Sequence, residues 1–83
     1  MFVLNNNLEI HKINDTMVIF SQESVFVMKT FEQGLLNVYL KSKSVDELKT
    51  NLESIYKGDK TRIFSEAYEF LLMLISNKVL TIQ

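Results

Sequence analysis

The spacing of apolar residues changes at Thr30, and that change constrains the fold more than any other feature. Before it, apolar residues come in short runs of strand length, "LEIHKI", "TMVIF" and "VFVM". After it, they recur at three- and four-residue intervals, as along one face of a helix. Strands first and helices afterwards is the order of an α+β domain.

The punctuation agrees. Asn5 to Asn7 form a turn after the short apolar "FVL", and Asn14-Asp15 sits between two β-rich runs as a tight hairpin turn. "SQES" at 21–24 separates the second strand from "VFVM", whose unbroken apolar character suggests cover on both faces. Thr30 with Gln33 fits a capping box, followed by Phe31, Leu35, Val38 and Tyr39 at helical spacing. Gly34 costs a helix about 1 kcal/mol against alanine and so points to close packing. "SKS" ends this helix. Ser44 with Glu47 is a second capping box, and Val45, Leu48, Leu52, Ile55 and Tyr56 form one stripe. Gly58 is placed to end that helix in a left-handed conformation.

The third helix starts between Thr61 and Ser65 and runs to about Asn77, where asparagine can turn left-handed. "VLTI" then reads as a short C-terminal strand. The expected architecture is a small winged-helix-like α+β domain over residues 1–83. It has an N-terminal three-stranded antiparallel sheet, three helices and the short last strand.

Projected at about 100° per residue, the third helix carries an apolar arc of roughly 200°. Ile63, Ala67, Phe70, Leu71 and Leu74 form one part, and Phe64, Tyr68, Leu72 and Ile75 extend it. A central core helix would look like this. So would a helix that leaves part of its arc for a partner, and one helix can do both.

Chemistry is sparse. His11 is the only histidine and cysteine is absent, which removes thiol chemistry and any thiolate metal site. Asp46, Glu47, Glu53, Glu66 and Glu69 fall off the apolar stripes, as solvated residues do. Gly34 and Gly58 are isolated, so no glycine-rich phosphate loop exists. Neither an enzyme nor a cofactor or metal is expected. The net charge is −1 with a single arginine, whereas nucleic-acid binders usually show a basic excess. No signal peptide or membrane-length apolar stretch is present, so the expected location is cytoplasmic.

Two longer stretches, "VFVMKTFEQGLLNVYLKSKSVDELKTNLESIY" and "EAYEFLLMLISNKVL", resemble the PqqD-like domains, the recognition elements of ribosomally made, post-translationally modified peptides. Ser44-Val45-Asp46-Glu47-Leu48 matches the start of the family's second helix and Tyr56 its end. Phe70, Leu71, Leu74 and Val79 match the third. Met28-Lys29 stands where the family often has Leu-Asn, and Lys78 where it commonly has glycine. The resemblance covers roughly Leu8 to Ile82.

It implies a non-catalytic module that binds the leader of a precursor peptide as an added strand and presents it to a modifying enzyme. The backbone of Val25, Phe26, Val27, Met28 and Lys29 would hold the leader. Ala67, Phe70, Leu71 and Leu74 would form apolar pockets, with Lys78 at the end. Strand addition suits a disordered peptide: the backbone ladder supplies affinity and alternate side chains supply selectivity.

Other readings remain open at this point. The chain also resembles the small winged-helix middle components of three-component ATP-binding-cassette defence systems, whose partner is a large protein subunit. A DNA-reading helix would need Arg, Lys, Asn or Gln at its surface, and "FSEAYEFLLMLISNK" offers few. A free edge strand with surplus apolar surface also permits a homodimer.

Overall fold

The computed structural model describes residues 1–22 and 24–83; Glu23, within the "SQES" punctuation, lies outside the described residues. The order is β1 (Phe2–Leu4), β2 (Glu9–Ile13), β3 (Thr16–Phe20), β4 (Val25–Met28), α1 (Thr30–Lys41), α2 (Val45–Ile55), α3 (Lys60–Ser76) and β5 (Leu80–Ile82). The expected α+β class holds. β2, β3 and β4 make the three-stranded antiparallel sheet, three helices follow, and a short strand closes the chain.

The β2–β3 hairpin closes between Ile13 and Thr16, so Asn14-Asp15 is the whole turn. Asn14 takes φ 56°, a left-handed conformation that asparagine adopts more readily than most residues. The N-terminal end of α1 leans on this sheet. Gln33 Nε2 donates to the carbonyls of Asp15 at 2.7 Å and Met28 at 2.8 Å, holding the hairpin tip and the end of β4 against the helix. Gln33 therefore does not serve the expected box with Thr30. The cap lies one residue earlier, where Glu32 accepts the Lys29 N–H at 2.9 Å. Of the expected Ser44–Glu47 box, the Ser44 half forms: its side chain accepts the Glu47 N–H at 3.1 Å.

Two boundaries differ from the sequence reading. α3 begins at Lys60 because Asp59 accepts the N–H groups of Thr61 and Arg62. At its other end the left-handed residue is Lys78, with φ 62°, while Asn77 stays at φ −94°. Asn77 instead spends its side chain on the helix end and on Ser24. Gly58 is left-handed at φ 119°, but α2 has already ended at Ile55, so Gly58 turns the chain toward α3.

The "FVL" segment forms a second sheet that its length did not reveal. β1 pairs antiparallel with β5, Val3 opposite Thr81. Asn5 N–H donates to the Val79 carbonyl at 3.0 Å and Gln83 N–H to the Met1 carbonyl at 2.7 Å, so both chain ends are tied down.

The core lies between the two sheets and the helices. Ile19, Met28, Val38, Tyr39, Leu74 and Leu80 are among its fully buried side chains. Tyr39 is central: its hydroxyl donates to the Ala67 carbonyl at 2.6 Å, and its ring meets Phe2 edge-on at 6.4 Å. Burial, and secondarily repulsion from Tyr56, pushes its pKa well above the usual tyrosine value. The sign follows directly. Below about pH 10 the ring is protonated folded or unfolded; above it, only the unfolded chain releases the proton. Stability should therefore fall from about pH 10 upward, by as much as about 1.4 kcal/mol per pH unit. In Tyr39→Phe, equilibrium unfolding should lose most of that alkaline slope. It should also start about 1 kcal/mol lower at neutral pH, for the lost hydrogen bond.

Gly34 has a specific reason. A methyl group there would overlap the Tyr56 hydroxyl, which donates to the Phe31 carbonyl at 3.3 Å while its ring packs edge-on against Phe31. Gly34→Ala in a Tyr56→Phe background should gain about 1 kcal/mol of helix stability. In the wild-type background that gain should vanish or reverse. Urea unfolding of the four members of the cycle measures the coupling.

A candidate peptide-binding edge

β4 is the last strand of its sheet, pairing with β3 on one side only. Its register is Met17 opposite Met28, Ile19 opposite Phe26, and Ser21 N–H donates to the Ser24 carbonyl at 2.8 Å. Antiparallel ladders alternate bonded and non-bonded pairs. Ser24, Phe26 and Met28 thus turn their backbone groups toward β3, and Val25 and Val27 turn theirs outward. The N–H and C=O groups of Val25 and Val27 form the edge, with no hydrogen-bond partner among the described residues.

The side chains alternate as well. Met28 is buried and Phe26 packs against the core, whereas Val25 and Val27 are 58% and 60% exposed. "VFVM" is therefore covered on one face only, contrary to the two-sided cover its composition suggested. Val25 and Val27 share the outer face with Phe20 and Val18, their neighbours across β3. His11 continues it on β2, edge-on to Phe20 at 5.8 Å and 3.1 Å from Glu9 Oε1. No charged side chain lies within Val25–Met28.

α3 does not pack along β4. It meets the strand's beginning at its own C-terminal end, where Ser24 Oγ donates to Asn77 Oδ1 at 2.7 Å. Helical geometry places Phe70, Met73 and Asn77 on one flank of α3, and Phe64 and Tyr68 on the opposite one. The Asn77 flank is therefore the one beside β4.

The anticipated residues separate accordingly. Among the backbone groups, those of Val25 and Val27 are free for a ligand. Those of Phe26 and Met28 serve the ladder, and the Lys29 amide is held by Glu32. Of the α3 side chains, Phe70 is half-buried on the β4 flank. Leu74 is fully buried and is a core residue. Ala67 and Leu71 are also in the core and line a different cavity, of about 290 Å³, between α2 and α3. Lys78 is exposed at the turn into β5.

Sequence reasoning missed Met73 and Asn77 on the β4 flank, and the cavity itself. Val45, Leu48, Lys49, Phe64 and Tyr68 complete its lining, with Tyr39 at its floor. The excess width of the α3 arc was its signal: Tyr68 and Leu72 remain 62% and 44% exposed, and Met73, outside the arc, is 41% exposed.

Among the described residues, no three His, Cys, Asp or Glu side chains cluster as a metal would require, and no helix is long and apolar enough to cross a membrane. Comparison with protein families, curated proteins and solved structures found no match.

Proposed function

We propose that this domain captures an extended peptide as a fourth strand on β4 and carries out no chemistry of its own. The observation that carries the reading is the β4 edge: uncharged, unpaired on its outer side, and set beside an open apolar flank of α3. An incoming strand would bond to Val25 and Val27, and its alternate side chains would reach Phe70 and Met73. Peptide recognition by strand addition needs this combination of a free ladder and adjacent apolar pockets.

The resemblance to the PqqD-like domains narrows the ligand to the leader of a ribosomally made precursor, presented in the cytoplasm to a separate modifying enzyme. Lys78 supports it. The family commonly has glycine at this position, and the backbone here is left-handed, the conformation for which glycine is best suited.

The test is affinity capture with the tagged full chain from its source cells, followed by intact-mass analysis of what is retained. Val27→Pro serves as the matched bait. A short ribosomal peptide held by the wild type and lost by the variant is the expected result. Recovery of a large ATPase or another stable subunit, with no peptide, overturns the reading in favour of a complex component. The apolar cavity between α2 and α3 is the surface that such a subunit would use.

A further inference from the structure

Natural sheets protect their free edges with charge, proline or bulges. The other free edge of this sheet, β2, follows that rule: its five residues include Glu9, His11 and Lys12, and all five are exposed. β4 is short, at four residues, but has none of these three devices. It has no charge and no proline, its pairing with β3 runs without a bulge, and its two outward residues are exposed valines.

We propose that β4 pairs with β4 of a second copy of this chain, giving a two-fold dimer with one continuous six-stranded sheet. This inference rests on the free edge itself and not on the peptide reading. If both hold, self-pairing covers the edge until a peptide displaces it.

The backbone selects one register. Val25 must lie opposite Val27 of the second copy, with Phe26 on the two-fold axis. Both outward N–H groups and both outward C=O groups of each copy are then paired, in two bonded rings of the antiparallel type. A register centred on Val27 would set Val25 opposite Lys29, whose N–H is already donated to Glu32 at 2.9 Å. A register centred on Val25 would pair Val25 with itself and leave Val27 with no partner within Val25–Met28 of the second copy. Odd offsets would oppose Val25 to Phe26, whose backbone groups face β3. In the selected register the four valines form a β-branched strip on the outer face, a favourable cross-strand combination. The contact is isologous, so it closes at two copies.

The register dictates the test. In Val25→Lys/Val27→Lys, every cross-copy pair becomes Lys opposite Lys. In Val25→Lys/Val27→Glu, every pair becomes Lys opposite Glu. Both positions are exposed, so both variants should keep the wild-type circular dichroism, and their melting temperatures should match that of the wild type at concentrations where it is monomeric. Sedimentation velocity of the full chain over a wide concentration range should show three behaviours. The wild type should be in monomer–dimer equilibrium. The double-lysine variant should stay monomeric to at least tenfold higher concentration. The lysine–glutamate variant should dimerise, more weakly as salt rises.

A wild type that stays monomeric throughout overturns the proposal. So does open-ended association, or a double-lysine variant that dimerises as readily as the wild type. The double-lysine variant retains the Val25 and Val27 backbone groups. Its binding of a captured peptide therefore reports on the peptide reading independently of the dimer.

Discussion

Val27→Pro is expected to weaken peptide capture by about 10- to 100-fold while leaving the domain folded. The Val27 N–H points away from β3, so proline there deletes no ladder bond of the native sheet. Edge strands tolerate proline at outward-facing positions for this reason. The residue before proline is pushed toward extended backbone, and Phe26 is already in a strand. An added strand would lose the donor and meet the ring where its own carbonyl should approach. A carbonyl left unpaired in this way costs about 1–3 kcal/mol, which sets the expected loss of affinity.

Phe26→Pro is the contrasting variant. Phe26 faces β3 opposite Ile19, and proline there removes a native ladder bond. That variant should lose cooperative unfolding. Calorimetric titration of the captured peptide, alongside thermal melts of both variants, separates the two effects. Unchanged affinity in a folded Val27→Pro variant would remove strand addition from this edge.

Leu74→Ala is expected to destabilise the domain by about 2–5 kcal/mol, the range for large-to-small substitutions in a core. A chain of this length has about 4–12 kcal/mol in total, so a substantial fraction would be unfolded at the upper end of the cost. Leu74 is fully buried and shares its face of α3 with Ala67 and Leu71. Met73, one residue earlier, is 41% exposed on the β4 flank. Met73→Ala should cost below about 1 kcal/mol, as substitutions away from the core usually do. Urea unfolding gives both values. On the proposed function the roles reverse in the binding assay: Met73→Ala weakens capture in a fully folded domain. Leu74→Ala should change capture only in proportion to the unfolded fraction.

The division of labour along α3 illustrates what was legible beforehand. The period of its apolar residues located the helix and identified the arc. The arc could not say which third of itself would be covered, because each flank depends on elements that arrive from elsewhere in the chain. α2 covers the Tyr68 flank only loosely and leaves a cavity. β4 approaches the other flank only near Asn77 and leaves Met73 open. Ala67, Leu71 and Leu74, which the family resemblance implied as ligand contacts, are core residues of that same arc.

Local chemistry was read well where nothing distant competed for it. The Asn14-Asp15 turn, the Ser44 cap and the change from strands to helices at Thr30 all depend on residues within a few positions of one another. Their free energies are fixed by backbone sterics and short-range hydrogen bonds. Gln33 looked like a capping residue for the same local reason, but the hairpin tip and the end of β4 offered its amide two carbonyls, and the cap moved to Glu32. Asn77 looked like the left-handed residue, but Ser24 and the helix end engage its side chain, and Lys78 takes the turn. The pairing of β1 with β5, and the standing of β4 as a free edge, lie beyond any local pattern. Both are settled by which strands the packed helices bring within hydrogen-bonding distance, and a strand carries no mark in its own residues of the neighbour it will lack.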